Sequence, residues 1–366
     1  DRPVLLAVPD QYLFCIFAKI IIYTTIMKSD KVLSVIIPTY NMERYLDHTL
    51  SSLLVGKSIG MLEVIVVNDG STDGSLAIAQ GFHSRYPDVF VVIDKPNGHY
   101  GSCVNAGLKV ATGKYVKVLD ADDSFDTNNL KEMLWLLNKI EVDLLITQFV
   151  MISPKGECST PRNLHLPSNR LCDIKEVYKS MAKKGTWMHE LTYRRSIFNE
   201  IDYHQSEGIL YSDIQWGMIP MGRVRTLYYL DKIVYLYLMG RDGQSMDIKV
   251  HKEHLADEYI CLSNILKAYS KIDFSCLEMR RMLYHKLYRR LCWSYRECMI
   301  TYKERHAVPL LKFDKDLHCI NSELYYRLNK KLISMPLVPV PFIKLWRHNR
   351  DGWLLRMALL VYKITH

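Results

Sequence analysis

The sequence predicts an α/β fold: a mostly parallel sheet flanked by helices, followed by a helical, basic C-terminal region. Three observations carry this. β-Branched apolar runs alternate with helical patterns from Val32 to Phe149, acidic turns follow two of those runs, and beyond Lys252 the apolar spacing is helical. At 366 residues, 49% hydrophobic and 24% charged, the composition is that of an ordinary globular chain.

The elements follow in order. Val32–Ile37 reads as a strand, and Glu43–Leu54 as a helix with Leu46, Leu50, Leu53 and Leu54 on one face. Leu62–Val67 is the second strand, followed by a helix from about Asp73 to Tyr86 that Ser71 or Thr72 would cap. Val89–Ile93, Tyr115–Leu119 and Asp143–Phe149 are further strands, separated by helices over Ser102–Ala111 and Asn128–Ile140. Such alternation implies right-handed crossovers and a parallel sheet. Ser153–Asn169, with three prolines, reads as a loop or irregular hairpin, and Ile174–Lys184 as a helix. A mixed region runs to Gly222, then come strands Thr226–Tyr229 and Ile233–Leu238. Leu255, Tyr259, Leu262, Leu266 and Tyr269 open the helical region. Arg280–Glu304 interleaves basic and aromatic residues, and three prolines precede a last helix at Trp353–Ile364. The expected organisation is an extension outside the fold over residues 1–26, an α/β domain over 27–245 and a helical region over 246–366. In the extension only Ile20–Ile26 is cleanly apolar, too short to span a bilayer.

Charge is uneven. Residues 280–366 hold 18 Lys+Arg and 6 Asp+Glu, a net +12 in a chain of +9, so the first 279 residues carry −3. A basic tail of this kind suits an anionic surface, which we expect to be a membrane met by residues 280–366. No nucleic-acid readout fold is recognisable, so no nucleic-acid partner is expected. The nine cysteines are odd in number and lack C-x-x-C spacing, which implies reduced thiols in a cytosolic setting.

Two acidic turns carry the chemistry. Asn68-Asp69-Gly70-Ser71 follows the second strand, and Asp120-Ala121-Asp122-Asp123 follows Tyr115–Leu119. Ligands of an open α/β sheet bind outside the carboxyl ends of its strands. Clustered carboxylates there call for a cation, and oxygen ligands suit Mn²⁺ or Mg²⁺ beside a phosphate-bearing ligand. An EF-hand loop fails at Phe125 and Lys131, a Walker loop fails at Gly113-Lys114-Tyr115, and no G-x-G-x-x-G follows the first strand. An aspartyl phosphotransferase wants an acid in Pro38-Thr39-Tyr40-Asn41, where none stands.

Val35-Ile36-Ile37-Pro38-Thr39-Tyr40-Asn41, Val66-Val67-Asn68-Asp69-Gly70-Ser71-Thr72-Asp73 and Leu119-Asp120-Ala121-Asp122-Asp123 resemble the family 2 glycosyltransferases of GT-A fold, as do Asn105-Ala106-Gly107 and Ala111–Tyr115. The resemblance covers roughly Val32 to Gly240. It implies an inverting, metal-dependent enzyme that takes a nucleotide-sugar donor, usually a UDP-sugar, in cell-surface polysaccharide biosynthesis. The acceptor would be a glycan or a lipid-linked molecule, and the setting cytoplasmic, peripheral at the inner face of the membrane.

Carried over by position, Pro38, Thr39, Tyr40 and Asn41 would line the donor site, with Asp69 and Gly70 at the base and Asn105 near the phosphates or ribose. Asp120 and Asp122 match the D-x-D positions, and the metal would fall to Asp122, then Asp123. Many relatives carry Arg where Val104 stands. Leu210–Trp216 resembles the second acidic motif and makes Asp213 the general base, with Ser212 where many relatives have Glu. Trp187, His189 and Glu190 would line the acceptor pocket, and Arg241 would close over the donor diphosphate. A non-catalytic nucleotide-sugar-binding subunit of a membrane-associated assembly is the alternative.

Overall fold

A computed structural model describes residues 31–240, 248–332 and 339–365. The expected extension over 1–26 and the expected donor contact Arg241 lie outside them. Among the described residues nine strands form one sheet: β1 Leu33–Thr39, β2 Leu62–Asp69, β3 Phe90–Lys95, β4 Tyr115–Val118, β5 Ser124–Phe125, β6 Leu144–Ile152, β7 Leu171–Asp173, β8 Leu191–Arg194 and β9 Thr226–Leu238. The order is β3-β2-β1-β4-β8-β6-β9-β5, with β7 also on β9. β3, β2, β1 and β4 run parallel, so the turns after β1, β2 and β4 share one edge.

The parallel half reads directly from its residues. Side chains alternate across a strand, and Val35 and Ile37 enter one core while Ile36 enters the other. Both sides are covered, which is why β2 is buried at every position. Helices Glu43–Ser51, Ser75–Arg85 and Thr127–Lys139 close one face through Leu46, Leu50, Phe82, Leu130 and Leu134. Helix His99–Val110 closes the other through Cys103 and Val104, and that core continues without a break into helices Leu255–Lys271 and Leu277–Arg296.

Three details depart from the sequence reading. β6 does not join β4: the four-residue β8 lies antiparallel between them. Thr226–Leu238 is one strand, with irregular register against β6 at Thr147–Phe149. Helix Ser75–Arg85 is not capped by Ser71 or Thr72. Asp73 accepts from the Ser75 amide at 3.0 Å and so satisfies a free N–H of the first turn.

Candidate active site

The turns after β1 and β2 are laced together. The Asn41 and Met42 amides donate to Ser71 Oγ at 3.0 Å and Ser75 Oγ at 2.8 Å, and Asn41 Oδ1 accepts from the Thr72 amide at 2.8 Å. Asn41 has φ +52°, where a short polar side chain is tolerated. Gly70 has φ +72°, and a Cβ there would stand 3.1 Å from the Asn97 amide, so a side chain is strained by the backbone and crowded by its neighbour.

The turn after β4 is pinned to β9. Asp123 accepts from Tyr235 Oη at 2.6 Å and from the Leu238 amide at 2.7 Å. Asp120 accepts from Tyr100 Oη at 2.9 Å. Burial, with Asp120 and Asp122 alongside, pushes the Asp123 carboxyl well above the usual carboxylate range.

A cavity of about 790 Å³ opens beside this turn. Pro38, Asp120 and Asp122 form one side; Trp187, Met188 and His189 a second; Tyr211 and Asp213 a third; Lys286, Arg289 and Arg290 of helix Leu277–Arg296 a fourth. Asp213 opens the short helix Asp213–Met218. Burial raises its pKa, and the Arg290 guanidinium opposes that rise. Tyr100 and Tyr237 both feel Asp120, Asp123 and Asp213, so the two acidic motifs converge on the same space.

Of the described residues expected to meet the donor, Pro38 and Asp120 line this cavity, and Thr39, Tyr40, Asn41, Asp69, Gly70 and Asn105 are not part of its lining. Asp69 is buried, ion-paired with Lys95, and accepts from the Gly98 amide at 3.0 Å. Thr39 is buried with its hydroxyl on the Ile37 carbonyl at 3.1 Å, whereas Tyr40 is exposed. Asn105 ties down the 205–207 loop. Its Nδ2 donates to the Gln205 carbonyl and to Glu207, each at 2.8 Å, and its Oδ1 accepts from the Gln205 amide at 2.9 Å. Glu190, expected in the acceptor pocket, is buried behind Trp187, with its carboxylate on the Trp187 amide at 2.8 Å and Arg162 at 3.2 Å.

The metal expectation also shifts. Sequence places the ion on Asp122 and Asp123. The ligand atoms that lie within 4.8 Å of one another belong to Asp120, Asp123 and His189, while Asp122 lines the same cavity outside that group. His189 sits on the single turn Met188–Glu190 leading into β8, stacked on Tyr237 with ring centroids 4.4 Å apart. Its Nδ1 is buried without a hydrogen-bond partner. Burial and the nearby Lys117 push its pKa down to about 3, so the ring is neutral and one of its two nitrogens is an acceptor. A neutral imidazole with a ring nitrogen close to two carboxylates is a donor set that fits a divalent ion. The Lys117 ammonium donates to the His189 and Leu191 carbonyls at 2.7 and 3.2 Å.

Residues 34–202 match the glycosyl transferase family 2 profile. An uncharacterised glycosyltransferase of Escherichia coli, YibD, is 26% identical over 316 residues, covering 82% of this chain and 88% of YibD. TarS of Staphylococcus aureus, a poly(ribitol-phosphate) β-N-acetylglucosaminyltransferase, is 25% identical over 215 residues, 58% of this chain and 36% of TarS. The crystal structure of TarS residues 1–349 with UDP-GlcNAc superposes with a TM-score of 0.68 at 21% identity, covering 92% of each chain. A mannosyltransferase of Pyrobaculum calidifontis, solved with GDP-Man and Mn²⁺, reaches a TM-score of 0.50 at 14% identity, covering 92% of this chain and 87% of that one. The fold is therefore GT-A.

Proposed function

Because residues 34–202 belong to glycosyl transferase family 2, we propose that this chain moves a sugar from a UDP-sugar to an acceptor hydroxyl, with inversion, in cell-surface polysaccharide biosynthesis. One observation carries the reading: the D-x-D turn and Asp213 open from separate stretches of chain into a single cavity. The nucleoside lies along the laced edge formed by Pro38–Asn41 and Asp69–Gly70, and the diphosphate extends toward Asp120 and Asp122.

Asp120, Asp123 and His189 would hold a divalent ion. When bound, that ion supplies Lewis-acid stabilisation of the leaving diphosphate. A nitrogen ligand favours Mn²⁺ over Mg²⁺, which prefers an all-oxygen shell. Asp213 takes the acceptor hydroxyl's proton. A raised pKa makes its carboxylate a stronger base, and the Arg290 guanidinium opposes the rise. Lys286, Arg289 and Arg290 form the remaining wall and favour an acceptor bearing phosphate, the chemistry named for TarS.

The test is a thermal-shift panel of UDP- and GDP-sugars with and without Mn²⁺, followed by a transfer and hydrolysis assay. Ligand at a hundred times its Kd stabilises a protein by about 2.7 kcal/mol. A Mn²⁺-dependent rise with one UDP-sugar, together with turnover, is expected. No response to any nucleotide sugar overturns the proposal, and binding without turnover assigns the chain to a non-catalytic donor-binding subunit.

A further inference from the structure

Helix Trp353–Thr365 is apolar on two opposite sides. Leu355, Ala358 and Leu359 are buried where the helix meets helix Phe342–His348 and the π turn Glu297–Thr301, and Arg296 donates to Tyr362 Oη at 3.3 Å. At about 100° per residue, Trp353, Met357, Leu360 and Ile364 fall on the far side. They are 72%, 49%, 53% and 75% exposed, with Leu354 beside them at 50%. Single exposed apolar residues are unremarkable, but a continuous stripe along one helix marks a docking surface.

We propose that this outer face lies in the headgroup layer of an anionic bilayer, with the helix parallel to the membrane plane. Its thirteen described residues make roughly 20 Å of helix, short of a hydrocarbon core of about 30 Å. Among the described residues no helix is long and apolar enough to cross a membrane. Charge selects the occupant. Residues 339–366 contain five Lys+Arg and one Asp; Lys344 and Arg350 are exposed in the segment just before the helix, and Arg356 is exposed on it, paired with Asp351 at 3.1 Å. A two-fold contact with a second copy would bring these cations against themselves, whereas anionic lipid complements them. An apolar face with a basic margin is the pattern of an interfacial helix.

Flotation of the full chain on phosphatidylcholine vesicles, with and without phosphatidylserine, tests this. The wild type floats with the anionic vesicles. The variant Trp353→Ser/Met357→Ser/Leu360→Ser/Ile364→Ser loses that binding. Lys344→Gln/Arg350→Gln/Arg356→Gln weakens it about a hundredfold, each cation contributing about 1 kcal/mol. Both variants keep the wild-type melting temperature and any donor-induced shift, since the substituted side chains face solvent away from the cavity; this separates membrane docking from sugar transfer. A wild type that stays in the unfloated fraction, or an apolar-face variant that floats equally well, overturns the proposal. So does a solution dimer that the apolar-face variant converts to monomer, because a second copy then covers the stripe.

Discussion

Replacing Gly101 with alanine tests whether the acceptor half of the site is held at a defined distance from the donor half. Gly101 lies on helix His99–Val110, one residue after the tyrosine that bonds Asp120. A Cβ there would stand 1.9 Å from the Ser206 carbonyl oxygen, and real contacts of this kind are not under 3.0 Å, so one segment must withdraw by at least 1.1 Å. The obstacle is backbone and cannot rotate away. Ser206 exchanges two hydrogen bonds of 2.8 Å with Gln215, on the helix that Asp213 opens, so the base moves with the loop. A displacement of about 1 Å in a catalytic group costs on the order of a hundredfold in rate, while overpacking costs about 1–3 kcal/mol of stability. Steady-state transfer kinetics beside a melting curve separate the two. We expect Gly101→Ala to melt cooperatively, to keep its donor-induced shift and to lose about a hundredfold in kcat. Wild-type kcat in a folded Gly101→Ala protein refutes the coupling of the 205–207 loop to Asp213.

Three further predictions follow from the cavity. The acid limb of the rate profile lies above the ordinary carboxylate range, because burial raises Asp213 and only its ionised form accepts a proton; in Arg290→Gln, where the opposing cation is gone, that limb moves to still higher pH, and a limb that stays put or moves to lower pH contradicts the assignment. His189→Ala weakens Mn²⁺ binding by at least about tenfold, measured by titration calorimetry in the presence of the UDP-sugar, whereas undiminished affinity removes His189 from the metal site. Arg289→Ala raises the KM for a phosphate-bearing acceptor about tenfold with donor affinity unchanged, and the difference vanishes with an uncharged acceptor.

The parallel half of the sheet was legible because its signal is local. Val64–Val67 and Tyr115–Val118 are apolar runs buried on both faces, and each ends in the acidic turn the fold requires. β8 was not legible. Leu191–Arg194 is four residues long, and its place between β4 and β6 is set by tertiary pairing rather than by its own pattern. His189 follows from β8, so its approach to Asp120 and Asp123 was hidden for the same reason. The hold of Asn105 on the 205–207 loop was not legible because its side-chain partners lie a hundred positions away. The basic tail was read as a surface feature throughout. Lys286, Arg289 and Arg290 instead recur at i, i+3 and i+4 and turn one helix face into the cavity.

The measurement nearest to the central claim is single-turnover sugar transfer by Asp213→Asn, with donor binding measured on the same sample. Asp213→Asn is expected to keep its affinity for the UDP-sugar and to transfer about 10²–10⁴-fold more slowly, the usual contribution of a positioned base. Transfer at the wild-type rate would mean that the proton leaves by another route and that the two acidic motifs share a cavity without sharing a reaction.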